Sequence, residues 1–570
     1  MQSKPIFAVL LIIFTLLFTA GCTNKRTQQE NYRSDYLINQ QQTNYKPQPV
    51  ELYDKNNAKL TVPAQSERKL YKGISINEHD NSVLRDAVPS SGKENEDEEF
   101  NTEDYNYLPE NDFNNVVESP LSTFSIDVDR ASYSNIRRYL NEGIMPPADA
   151  VRIEEMINYF TYSYPQPNGN DPFSMKIEIG ECPWNSGNYL ALVGIQGKKI
   201  DMTDLPPNRL TFLIDVSGSM EQVNKIVLLK QAFSLLVEQL RPQDMVAMVV
   251  YAGAAGVVLE PTPGNQKEVI LSALDQLKAG GSTAGGEGIQ LAYKIAKQQF
   301  KTGSNNRVIL ATDGDFNVGA SSDGELTRII EENRKSGVYL TTLGFGMGNY
   351  KDSKLELLAD KGNGNYAYID NIAEARKVLV TELGATLLTI AKDVKIQVEF
   401  NPARIAKYRL IGYENRILAA RDFNDDTKDA GELGAGHTVT ALYELTPTKS
   451  NEPVTAEVDP LKYQQAEIKP SALNSNELMT VKLRYKPPQQ DQSLLIERSV
   501  NTTGVGQYSD NFTFAASVAS FGMLLRQSKY AGTASYDSVL EMAKQGQGSD
   551  SEGYRKEFIE LVLKAKALQK

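Results

Sequence analysis

Along the chain the apolar residues change period several times. A continuous apolar run at residues 6–18 is followed by about a hundred residues, to about 115, in which no period is sustained. Order is expected from about Pro120, with a short strand or loop over 121–129, helices over 131–141 and 148–160, and strands over 175–180 and 189–196. The second of these helices places Val151, Ile153, Met156, Ile157 and Phe160 on one apolar face. From about Pro207 strands and helices alternate. Strands are predicted over 210–214, 245–251, 257–259, 307–311, 339–343 and 366–369, and helices over 225–240, 267–277, 285–300, 326–335, 354–359 and 373–388. Such βα units imply a doubly wound, mostly parallel sheet with helices on both faces. Beyond Lys392 the period returns to two, over 394–400, 438–445 and 478–485, and helices resume from Phe512. Because strands flank the α/β block, residues 172–200 and 390–487 are expected to form one β-sandwich into which that block is inserted.

Composition refines the ends of this picture. Lys4, the apolar run and then Thr19-Ala20-Gly21-Cys22 have the form of an export signal, with small residues before a cysteine fitting cleavage and lipid attachment at Cys22. This segment resembles a bacterial lipoprotein signal, departing at Thr19, where leucine is commoner. The expected division is a signal over 1–21, a disordered acidic linker over 22–116, amino-terminal helices and strands over 117–204, an α/β domain over 205–390 and a β-rich region ending in helices over 391–570. The linker reading rests on Gln, Asn, Ser, Lys and Glu content, and on nine acidic side chains with no basic one between Glu94 and Asp112. The net charge of -12 argues against a general nucleic-acid binder. Two histidines (His79, His437) and two cysteines (Cys22, Cys182) leave little for a zinc site and nothing for a disulfide framework.

Three loops carry the candidate chemistry. Asp215-Val-Ser217-Gly-Ser219 follows the first α/β strand, Gly281-Ser282-Thr283 precedes a helix, and Thr312-Asp313-Gly314-Asp315 follows the strand at 307–311. All leave the carboxyl edge of a parallel sheet, where ligands of such sheets bind. Two carboxylates, neutral hydroxyls and water form an oxygen-only shell suited to a hard cation, Mg²⁺ first, then Mn²⁺ or Ca²⁺. On these residues the block resembles the von Willebrand factor type A domain and its metal-ion-dependent adhesion site. The resemblance implies that Ser217, Ser219 and Thr283 ligate the metal directly, that Asp215 and Asp313 act mainly through water or hydrogen bonds, and that one position is left for a partner's carboxylate.

The flanks extend the likeness. Phe124-Ser-Ile-Asp-Val-Asp129, Ala131-Ser-Tyr-Ser-Asn135, Asp149-Ala-Val-Arg-Ile-Glu-Glu155, Tyr408-Arg-Leu-Ile-Gly-Tyr-Glu-Asn415 and Gly436-His-Thr-Val-Thr-Ala-Leu-Tyr443 resemble YfbK-type bacterial lipoproteins, over roughly residues 117–570. The expectation is a lipid-anchored, metal-dependent protein-binding module of the bacterial cell envelope, on the outer membrane in preference to the inner. The alternatives are an envelope assembly factor whose metal only stiffens loops, and a metal-assisted hydrolase, which lacks an evident base or nucleophile. Asp315 and Glu287 read as solvated acids near the site, Asp244 as a strand-start acid, and His437 and Cys182 as structural. Asp127-Val-Asp129 lacks the partners of a phosphotransfer motif. Asp422, Asn424, Asp426 and Asp429 lack the glycine and terminal glutamate of a calcium loop.

Overall fold

In the computed structural model the described residues are 52–53, 59–60, 102–169, 171–201, 205–282, 285–314, 323–383, 387–448, 468–506 and 508–569. Cys22, Thr283 and Asp315 lie outside them. The strands are, in chain order, β1 (Leu52–Tyr53), β2 (Lys59–Leu60), β3 (Asn114–Asn115), β4 (Leu121–Ser125), β5 (Phe173–Glu181), β6 (Tyr189–Gly197), β7 (Asn208–Asp215), β8 (Met245–Tyr251), β9 (Ala255–Pro263), β10 (Asn305–Thr312), β11 (Tyr339–Phe345), β12 (Tyr366–Ile369), β13 (Thr389–Phe400), β14 (Ile405–Ile411), β15 (Gly431–Gly434), β16 (Thr438–Pro447), β17 (Glu477–Lys486) and β18 (Leu494–Asn501). The helices that position the candidate sites are α1 (Ala131–Asn141), α2 (Ile153–Asn158), α3 (Leu228–Gln239), α4 (Lys267–Asp275), α5 (Gly285–Gln298), α6 (Asp323–Lys335), α7 (Asp352–Lys361) and α8 (Ile372–Arg376).

Among the described residues the α/β block is a six-stranded sheet of order β12-β11-β10-β7-β8-β9. It is parallel except for β9, which pairs antiparallel with β8. The central strands are buried on both faces, so their sequences are near-continuous apolar runs, as in Leu210-Thr-Phe-Leu-Ile214. Helices α3 and α4 close one face around Phe212, Phe233 and Leu236. Helices α5, α6 and α7 close the other around Tyr293, Leu310 and Leu355. From β7 the chain winds first toward β8 and later returns to β10 on the opposite side. The crevice between the carboxyl ends of β7 and β10 is therefore the point where the winding reverses.

Two five-stranded sheets flank this block. One has the order β15-β13-β17-β18 with β4 also paired to β13, and the other β3-β14-β16-β6-β5. They share an apolar core that includes Phe124, Val193, Val398, Tyr443 and Leu483. The sandwich extends beyond the expected 172–200 and 390–487, because β3, β4 and β18 also join it. A third core joins the chain's ends. Tyr133 and Phe160 from the amino-terminal helices pack with Phe514 and Phe558 from helices Asp510–Leu525 and Tyr554–Leu568.

Several elements depart from the pattern-based reading. The expected acidic linker over 22–116 differs in its last part. From Thr102 the backbone is docked, with Asp104 bridging to Lys351 in parallel and β3 pairing with β14. Glu103 accepts from Arg138 (2.7 Å), from the Tyr139 hydroxyl (2.6 Å) and from the Gly348 amide (2.8 Å). Average polarity describes a segment's apolar yield, whereas a few ion pairs and backbone bonds suffice to hold fifteen residues. The helix expected over 225–240 begins as a π-helical turn, Val223–Val227, that runs into α3. The helix expected over 373–388 is α8, capped by the Asn371 side chain, followed by a π-helical turn at Lys377–Thr381. In place of one helix over 148–160 there is a 3-10 turn at Ala148–Ala150 and then α2, both of whose faces are buried, including Glu154 and Glu155.

Candidate functional site

Asp215 is the last residue of β7 and lies at the winding reversal. The next residues leave the strand in an extended conformation at Ser217 and enter a 3-10 turn at Gly218–Glu221. The turn is held by the Asp215 carboxylate, which accepts from the Ser217 amide (2.9 Å). Its other oxygen accepts from the hydroxyls of Tyr251 (3.0 Å) and Thr312 (2.8 Å), so β7, β8 and β10 are tied together at their carboxyl ends. Asp215, Ser217 and Asp313 are buried, and Ser219 is half-buried at the mouth. Burial raises the Asp215 carboxyl above its ordinary range. Hydrogen bonds from Ser217 and Thr312 pull it down, while nearby Asp313 pushes it further up. Such a carboxylate pair is stabilised by a cation.

The hydroxyl oxygens of Ser217 and Ser219 lie 3.0 Å apart. Neighbouring ligands about 2.1 Å from a six-coordinate ion are separated by about this distance, so the pair fits an Mg²⁺-sized shell. The loop bearing Thr283 is brought alongside: the Gly218 amide donates to the Gly281 carbonyl (2.9 Å) and the Gly280 amide to the Val216 carbonyl (2.8 Å). Thr283 itself lies outside the described residues. Four of the five expected ligand residues are thus described, and Asp215, Ser217, Ser219 and Asp313 come to the two adjoining loops after β7 and β10.

The pattern-based reading missed four residues. Tyr251 and Thr312 orient Asp215. The buried Lys225 ammonium donates to Asp313 (3.1 Å) and to the Asn349 amide oxygen (2.9 Å), and the Asn349 amide nitrogen donates to Asp313 (3.1 Å). The π-helical turn at Val223–Val227 carries this lysine, and π turns in helices recur at functional sites. Gly346 makes its path: a Cβ there would lie 2.4 Å from Lys225 Cγ. Only Thr312 had a signal in the sequence, as the neighbour of Asp313.

Several of the remaining described candidates have protein partners. Asp244 accepts from the Asn208 amide (2.7 Å) and from Arg241 (3.0 Å), fixing the start of β7. Asn424 accepts from Arg484 (2.9 Å), Asp426 from Ser493 (2.6 Å) and Asp429 from Arg334 (2.6 Å). Glu287 is exposed on α5. Cys182 is a buried thiol that burial pushes up to about 12, an unreactive setting.

Residues 210–380 match the family described as von Willebrand factor type A domain, residues 99–192 that described as von Willebrand factor, and residues 385–568 that described as the C-terminal region of uncharacterized protein YfbK. A protein of Escherichia coli K12, described as uncharacterized protein YfbK, is 42% identical over 465 residues, covering 80% of each chain. An uncharacterized protein of Synechocystis, sll0103, is 28% identical over 183 residues, 32% of this chain and 42% of that one. Among solved structures, a von Willebrand factor type A protein from Catenulispora acidiphila has a TM-score of 0.37 at 16% identity, covering 68% of this chain and 90% of that one. The ArnB paralog VWA2 from Sulfolobus acidocaldarius has a TM-score of 0.34 at 15% identity, covering 70% and 98%.

Proposed function

Because the chain belongs to the YfbK-like family of proteins carrying a von Willebrand factor type A domain, we propose that it binds a protein partner through a divalent cation, Mg²⁺ first, held by Asp215, Ser217, Ser219, Thr283 and Asp313. A type A domain supports an interaction role and commonly holds a divalent metal. The observation that carries the reading is the pair of serine hydroxyls 3.0 Å apart, beside two buried carboxylates at the winding reversal. Hydroxyl ligands carry no formal charge, so an ion held there keeps an appetite for a partner's Asp or Glu. Lys225, already placed on Asp313, removes part of the site's negative charge and strengthens that appetite. The function proposed is binding and not turnover.

We further propose attachment to the bacterial envelope through lipid on Cys22, as the small residues before that cysteine suggest. No helix among the described residues is long and apolar enough to cross a membrane. The test is recovery of envelope proteins on the immobilised full chain with Mg²⁺, with EDTA, and with Asp215→Ala. At least one partner is expected to require both Mg²⁺ and Asp215. Equal recovery under all three conditions sinks the reading, and favours an assembly role in which the metal only stiffens loops.

A further inference from the structure

Three of the five sequence segments that carry the YfbK likeness outside the α/β block meet in one buried place. Asp127 and Asp129 come from the segment after β4, Glu154 and Glu155 from α2, and Glu414 and Asn415 from the turn after β14; Asp352 and Glu356 are added by α7 of the α/β block. Carboxylate oxygens of Asp127, Glu155 and Glu356 all lie within 4.8 Å of one another. Oxygens gathered this closely can share one hard cation.

The charge does not close on protein groups alone. Asp127, Asp129, Glu154, Glu155, Asp352 and Glu356 are all buried, and two guanidiniums reach them. Arg152 pairs with Glu155, with Asp352 (2.6 Å) and more distantly with Glu356 (3.7 Å). Arg416 pairs with Asp127 (3.1 Å), Asp129 (3.3 Å) and Glu356 (3.3 Å). Glu414 is matched separately by Arg526 (2.9 Å). Six buried carboxylates thus face two cations. Glu154 is the telling member. It is 0% exposed, and neither carboxylate oxygen has a hydrogen-bond partner. The charged groups acting on it are Glu414, Asp127 and Glu155, all carboxylates. A buried carboxylate surrounded by other carboxylates is strongly disfavoured in its charged form.

We propose that this junction is a second divalent-cation site, with Asp127, Glu155 and Glu356 as ligands and the Glu154 carboxylate completing its negative surround. The arginines stay in place, since each carboxylate oxygen that accepts from them keeps a second lone pair. An ion there links the amino-terminal segment, α2 and α7, and so clamps the α/β block onto the rest of the chain. The competing occupant is the proton: burial and neighbouring acids raise the Glu154 carboxyl well above its ordinary range and the Glu155 carboxyl to about 8.

Calorimetric titration of Ca²⁺ into the chelator-treated full chain carrying Asp215→Ala separates this site from the adhesion site. One Ca²⁺ per chain is expected. Adding Glu356→Gln, where Asn415 and Arg416 already hold the side chain, should weaken Ca²⁺ by about tenfold or more. The thermal midpoint of the Asp215→Ala chain should rise with Ca²⁺, and rise less once Glu356→Gln is added. Absence of Ca²⁺ uptake by Asp215→Ala, or uptake unchanged by Glu356→Gln, overturns the proposal and leaves protons as the occupants. Neither result depends on a partner being bound at the adhesion site.

Discussion

Lys225 sits 3.1 Å from Asp313, both buried, so its charge acts on the proposed adhesion site with little screening. Lys225→Met is expected to tighten Mg²⁺ binding by roughly tenfold, about 1.4 kcal/mol, while weakening a carboxylate partner. Titration calorimetry of the two chains reads the first effect, and unchanged affinity would show the ammonium to be electrostatically idle. His437 offers a different test. Burial, then Arg130 and Lys377, hold its imidazole well below its ordinary value. The unfolded chain takes up a proton near pH 6.5 that the folded chain refuses. Its contribution is therefore intact above about pH 6.5 and falls by about 1.4 kcal/mol for each pH unit below that. Urea unfolding of the parent and His437→Gln between about pH 5 and pH 7 compares the slopes. The variant should be the flatter, and matching slopes would remove His437 from the account.

At the scale of elements, the loop between β11 and α7 serves both the site and the amino-terminal strap. Its Asn349 touches Asp313, and its Gly348 amide is held by Glu103. Glu103→Ala removes the acceptor of a buried Arg138 and should cost about 3 kcal/mol. Amide exchange should then speed at Gly348 and along 102–112 while the α/β core stays protected. Exchange unchanged at Gly348 would show that the strap does not hold the loop. Gly314 meets the same loop from the other side. It sits at φ 95°, where a Cβ would come 2.4 Å from the Lys351 nitrogen. Gly314→Ala therefore has to move Asp313 or the strap-bearing loop, and should weaken Mg²⁺ without removing any ligand atom.

Across the described residues, distant segments are stitched together. The amino-terminal helices share a core with the carboxyl-terminal ones, and the sandwich takes strands from both sides of the α/β block. Phe558 lies against Phe160, Phe514 and Phe521, fully buried. Phe558→Ala should cost about 3–5 kcal/mol. Because the core is shared, hydrogen exchange should rise in α1 and α2 as well as in helix Asp510–Leu525. A rise confined to the carboxyl-terminal helices would mean that the two ends unfold separately.

The α/β order, the two-residue period of the flanking strands and the loops that carry the candidate ligands were legible in sequence, because each is a local signal: a periodic apolar face, or side chains placed directly after a strand. Asp215, Ser217 and Ser219 occupy one turn, so their nearness is a property of five consecutive residues. Which distant groups meet is set by strand order and helix packing, and no local period encodes it. Lys225 reaches Asn349 across 124 positions only because a π turn and Gly346 clear its way. Glu154 and Glu155 belong to a helix with one apolar stripe in sequence. Tertiary packing buried its polar side too, against acids from three other segments.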